Sequence, residues 1–200
     1  MRSLSHTALR TAALLGLLAT AGAAQAHTGH GTSSLFEGLA HPLGADHLLA
    51  MLAVGLWSVT VLPARKVWQG PATFMLALVA SAALGTMGVT LPYLEPLIAA
   101  SVVLFGALLV VGRLQIPTAL GLGLVAVAAS LHGLAHGAET PAGGFAAYAV
   151  GFLFSTAVLH AGGVAAGLGL QRYLARQSNW VLAGAGGLLG GAGLYLAAAL

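Results

Sequence analysis

The sequence predicts an all-α, polytopic membrane protein: a bundle of six transmembrane helices following a cleavable signal peptide. Three observations carry that prediction. Only 6% of the 200 residues are charged and 58% are hydrophobic, whereas a soluble domain carries about 25% charged residues. Mean hydropathy is +0.95. Apolar runs of about 20 residues, the length an α-helix needs to cross a bilayer, recur between prolines and charges. The same composition excludes other classes. Seven basic and four acidic residues give a net charge of +3, too sparse and dispersed for a nucleic-acid surface. Cysteine is absent, so there is no disulfide framework, thiolate metal site or thiol nucleophile. Any metal must be held by nitrogen and oxygen.

Residues 1–26 read as a signal peptide. Arg2 and Arg10 form a basic region, Thr11 to Ala21 is a short apolar stretch, and Ala24-Gln25-Ala26 fits the small-x-small cleavage rule. The alternative is an uncleaved first span, but the stretch is short for a bilayer. Cleavage after Ala26 leaves a periplasmic leader over residues 27–38 that begins His27-Thr-Gly-His30. A terminal histidine offers its α-amine and a ring nitrogen to one ion, and His30 adds a third donor; a merely polar leader is the alternative.

The membrane domain, residues 39–200, divides into spans near 39–62, 71–91, 95–113, 117–137, 143–170 and 179–199, with Pro63, Pro71, Pro92, Pro96, Pro117 and Pro141 as breakers. Arg65 and Lys66 fall between spans one and two, Arg113 between three and four, and Arg172 and Arg176 between five and six. Glu37, Glu95 and Glu139 fall at the opposite ends. The positive-inside rule assigns the basic side to the cytoplasm. The expected location is a bacterial inner membrane with both mature termini periplasmic, in agreement with the signal peptide. Gly184, Gly187 and Gly191 in span six, and Gly121 and Ala128 in span four, give the small-residue spacing that lets helix backbones approach in lipid.

Ionisable groups in a span cost roughly 2.5–3.5 kcal/mol each and are functional candidates by default. Three clusters stand out. His41, Asp46 and His47 lie within seven residues at the mouth of span one. On a regular helix His41 is about 140° from Asp46 and about 120° from His47, so one face cannot present all three. Pro42 and Gly44 point to helix entry or a distortion that folds His41 back over the Asp46–His47 pair. His132, His136 and Glu139 recur at i, i+4 and i+7, one stripe within about 60°, and paired His at i, i+4 is a metal-binding spacing. His160 sits in the middle of span five beside Ser155 and Thr156. Imidazole and carboxylate together suit a divalent first-row metal. Both outer clusters fall at the periplasmic face and His160 deeper, a descending series suited to capturing an ion outside and passing it inward. Met51 is expected to pack.

These same residues carry a family resemblance. His41-Pro-Leu-Gly-Ala-Asp46-His47, continued by Met51-Leu-Ala-Val-Gly-Leu-Trp57, resembles the first motif of the HupE/UreJ family of nickel or cobalt permeases. His132-Gly-Leu-Ala-His136-Gly-Ala-Glu139 resembles the second, and Gly151-Phe-Leu-Phe-Ser-Thr156-Ala-Val-Leu-His160-Ala-Gly162 the third. The H-x4-D-H core is shared with NiCoT-type transporters, where it is associated with metal selection; here that carries over to His41, Asp46 and His47. The resemblance implies uptake of Ni2+, with Co2+ possible, as transported substrate without a bound organic cofactor, serving hydrogenase or urease. The expected partners are the metal ion and membrane lipid, with no nucleic acid.

Two other classes compete. The Asp, His and Ser set also resembles that of membrane ceramidase-like hydrolases, in which a metal held by three imidazoles activates water with Asp46 as base. The third option is an accessory membrane protein that binds metal without moving it. No nucleotide-binding G-x-x-x-x-G-K-[ST] occurs, so a permease would be a secondary one rather than an enzyme.

Overall fold

The computed structural model describes residues 34–112, 116–138, 145–174 and 178–199. The signal peptide expected over 1–26, His27 and His30 of the leader, and Arg113, Glu139 and Arg176 lie outside the described residues. Among the described residues every regular element is helical: α1 (Leu35–Ala40), a 3-10 turn (His41–Leu43), α2 (Ala45–Val61), a second 3-10 turn (Ala64–Lys66), α3 (Gln69–Thr86), α4 (Leu94–Val111), α5 (Thr118–Ala138), α6 (Phe145–Tyr173) and α7 (Ser178–Ala198). Five of these helices are long and apolar enough to cross a membrane, or six if α1 and α2 form one bent span. The chain is a multi-pass membrane protein.

The first span carries the distortion expected near Pro42 and Gly44 and begins before the expected residue 39. It starts at Leu35 and is bent by 69° at the break between Leu43 and Asp46. The cause is local. A capping box fixes the start of α1: Ser34 Oγ accepts from the Glu37 N–H at 3.1 Å, and the Glu37 carboxylate accepts from the Ser34 N–H at 2.9 Å. Pro42 has no N–H to continue that helix but is tolerated in the first turn of the 3-10 segment. Gly44 is then extended, at φ −56° and ψ 144°, and α2 begins afresh.

A break in lipid must satisfy its freed backbone groups within the protein. Helix α6 does so at both ends of the span. Ser155 Oγ donates to the Leu39 carbonyl at 2.8 Å. At the far end Val59 would look to residue 63 for a donor, but that residue is proline; Gln171 Nε2 donates to the Val59 carbonyl instead, at 3.0 Å.

Helix α2 forms the centre, touching α3, α4, α6 and α7. Its Ala50, Met51, Ala53, Val54 and Trp57 are no more than 1% exposed, so Met51 packs as expected. Around it α3 pairs closely with α5, α4 with α7, and both α1 and α2 with α6. Glycine permits these approaches. A Cβ on Gly85 of α3 would lie 2.6 Å from the Leu134 carbonyl oxygen, and one on Gly137 of α5 would collide with the Ala82 carbonyl. These contacts are with backbone, so neither partner can turn aside. Gly137→Val should therefore destabilise the bundle by about 1–3 kcal/mol, read as a lower unfolding temperature of the detergent-solubilised protein. An unchanged temperature would mean that α3 and α5 are not held this closely.

The outer surface is lipid-like. Leu76, Val127, Val150, Phe154 and Leu188 are exposed. Exposed aromatics gather at the helix ends: Trp68, Tyr173 and Trp180 at the end that carries Arg65, Lys66 and Arg172, and Phe36, Tyr93 and Tyr195 at the other. Two aromatic belts of this kind are the signature of the two membrane–water interfaces.

Candidate metal centre

The break in the first span brings its imidazoles together. His41 in the 3-10 turn, His47 in the first turn of α2 and His136 in the last turn of α5 each offer one ring nitrogen, and these atoms all lie within 4.8 Å of one another. His47 Nε2 and His136 Nε2 are 2.7 Å apart. The three rings have centroid separations of 4.7–5.2 Å. The distortion expected at Pro42–Gly44 is present, and it sets His41 against His47 rather than on the far side of the helix.

The His47 ring is oriented by a second contact. Asp46 Oδ1 lies 2.9 Å from His47 Nδ1. A carboxylate can only accept, so Nδ1 carries the proton and Nε2, which faces His136, carries the lone pair. The lone pair of His47 Nε2 faces His136 Nε2, and with both nitrogens deprotonated the pair suits a cation between them. Ligands at about 2.1 Å from a metal and at right angles stand about 3 Å apart, so the pair need open by only a few tenths of an ångström.

Aromatic rings enclose the cluster. Phe152 lies 4.7 Å from His136 and 5.7 Å from His41, and stacks on Tyr148. His47, His136 and Asp46 are buried, while His41 is half-buried, so His41 is the ligand nearest the surface. A hydrocarbon wall of this kind excludes competing water and strengthens every electrostatic contact inside it.

The remaining expected ligands are distributed more finely than the sequence suggested. Asp46 lies behind His47 rather than among the three converging nitrogens. His132, one turn before His136, has its ring 5.0 Å from that of His47, and its Nε2 is 2.9 Å from Ser101 Oγ on α4. His160 is apart from the cluster, its ring 4.8 Å from Phe74, and Phe74 in turn is 6.1 Å from His132. His160 Nδ1 donates to the Thr156 carbonyl at 2.8 Å, which leaves Nε2 with the lone pair, buried and without a hydrogen-bond partner among the described residues. Glu139, His27 and His30 lie outside the described residues.

Sequence reasoning did not reach Ser101, Phe74 or Phe152. Phe74 and Phe152 look like any apolar membrane residue. Ser101 carried a usable signal: it is the one hydroxyl side chain between Leu94 and Val111, in a span with no other reason for a polar group.

Comparisons with known proteins place the chain in a family. The family described as HupE / UreJ protein matches residues 15–196. Protein HupE of Rhizobium leguminosarum bv. viciae is 38% identical over 184 residues, covering 91% of this chain and 94% of that protein. No solved structure matches.

Proposed function

The chain belongs to the HupE/UreJ family, and from that premise we propose that it is a secondary permease of the bacterial inner membrane that takes up Ni2+, with Co2+ as a second cargo. The observation that carries the proposal is the convergence of His41, His47 and His136, drawn from three separate elements, with ligating atoms within 4.8 Å. The ion first exchanges water for these imidazoles. Asp46 supplies the negative charge that a divalent cation needs once water is gone. His132 and then His160 offer further lone pairs along the path past Phe74. Glu139, His27 and His30 feed the outer mouth, and both mature termini are periplasmic. The membrane potential supplies the drive, about 2.3 kcal/mol per charge per 100 mV and so about 4.6 for a divalent ion. The cargo then serves hydrogenase or urease.

The hydrolase alternative asks Asp46 to act as a base on metal-bound water. Its contact with His47 supports a different role, that of orienting a ligand. Proteoliposomes decide between them. A permease accumulates 63Ni2+ when the potential is negative inside, whereas a hydrolase consumes lipid and moves no ion. An accessory binding protein retains 63Ni2+ only in proportion to protein. Orientation is tested by fusion: alkaline phosphatase at the C-terminus should be active, and an inactive fusion would reverse the assignment of the Arg65/Lys66 end to the cytoplasm.

A further inference from the structure

Ser101 is buried in α4 and reaches two groups. Its Oγ lies 2.7 Å from the Ile98 carbonyl one turn back and 2.9 Å from His132 Nε2. A serine hydroxyl has one proton, and a carbonyl oxygen can only accept. The proton therefore goes to Ile98, and the bond to His132 runs the other way: Nε2–H donates and Oγ accepts. A neutral imidazole carries one proton, so the lone pair of His132 is on Nδ1. This is the opposite tautomer from that of His47, whose Nδ1–H points to Asp46, and of His160, whose Nδ1–H points to Thr156. A carboxylate, a backbone carbonyl and a serine thus do one job on three rings, each taking the proton on one nitrogen so that the other is bare.

We propose that Ser101 is a positioning residue for ion transfer: by holding the Nε2 proton of His132 it makes Nδ1 the ligating nitrogen and His132 the receiving ligand beneath His41, His47 and His136. His132 is one turn, about 6 Å of helix, deeper than His136. It is the imidazole an ion meets between the cluster and the Phe74–His160 pair. Without Ser101 nothing holds His132 in one tautomer, and the fraction protonated at Nδ1 would offer the ion a proton. The transfer step rests on the permease reading; the direction of the hydrogen bond does not.

The test uses the full chain, purified in detergent and labelled with 15N-histidine, because ring nitrogen shifts separate a protonated from a lone-pair nitrogen. The His132→Asn variant identifies the His132 signals. In the native protein His132 should be protonated at Nε2 and bare at Nδ1. Zn2+, a diamagnetic probe, should shift the Nδ1 signal. Ser101→Thr should preserve both behaviours, and Ser101→Ala should give mixed tautomers and lose the Zn2+ response. In proteoliposomes 63Ni2+ uptake should fall about 10–100-fold in Ser101→Ala, the usual effect of removing such a partner, and recover in Ser101→Thr. A native His132 protonated at Nδ1, or a Ser101→Ala variant that keeps native spectra and native uptake, would overturn the proposal. If the native chain moves no nickel, the permease reading falls, and the spectra with the Zn2+ titration still decide the role of Ser101.

Discussion

Asp46→Asn should lower Ni2+ uptake by at least about 100-fold while leaving the protein in the membrane. The substitution separates two contributions of one side chain. An asparagine carbonyl can still accept the His47 Nδ1–H that Asp46 Oδ1 now accepts at 2.9 Å, so the ring keeps its tautomer. The negative charge is lost. Asp46 is the only aspartate in the chain, and the three glutamates fall at residues 37, 95 and 139, toward the span ends. A divalent cation transferred from water to a low-dielectric site without a counter-charge faces a desolvation penalty of several kcal/mol, and about 1.4 kcal/mol is already tenfold. Initial rates of 63Ni2+ uptake in proteoliposomes, at equal incorporation of protein, measure the effect. A rate within twofold of native would remove Asp46 from the transport site.

His47→Ala and His136→Ala come next in size, and the double variant is the informative one. Their Nε2 atoms are 2.7 Å apart, so in the proposed site both serve one ion. Each single substitution should weaken Ni2+ binding at least about 100-fold, more than the loss of an outer partner. Because residues sharing one partner do not act independently, the double variant should fall well short of the product of the two. Equilibrium dialysis of the solubilised protein with 63Ni2+ reads this directly. Strictly multiplicative losses would mean that the two rings serve different ions.

The sequence was most legible where chemistry is rare against its background. Seven of the eight histidines, in a chain with 6% charged residues, could be recognised as candidates one by one, and Pro42 with Gly44 predicted the distortion that turns His41 inward. The i, i+4 spacing of His132 and His136 placed both on one stripe of α5. It could not say that the two rings part company: His136 meets His41 and His47, while His132 turns to Ser101. That division depends on the rotation of α5 against α3 and α4, which glycine contacts such as Gly85 with Leu134 fix and which no local pattern encodes. The 69° bend was equally out of reach in magnitude. It depends on where α6 offers Ser155 to the freed Leu39 carbonyl, more than 100 residues away.

The bent first span also governs how fast an ion can leave. His41 rides on a turn that follows a six-residue helix, joined to α2 through Pro42 and Gly44, whereas His47 and His136 belong to long helices. In the proposed site the three metal–nitrogen bonds therefore need not break at once. A chelate with one arm on its own short segment dissociates stepwise: His41 lets go, a water or His132 takes the vacant position, and each barrier is close to that of one bond. Conduction needs a site that is favourable to enter yet easy to leave. A rigid, preorganised cage of the same three ligands would hold the ion more tightly and release it more slowly, which suits storage. Stepwise exchange gives selectivity at equilibrium together with short occupancy, the combination that turnover requires.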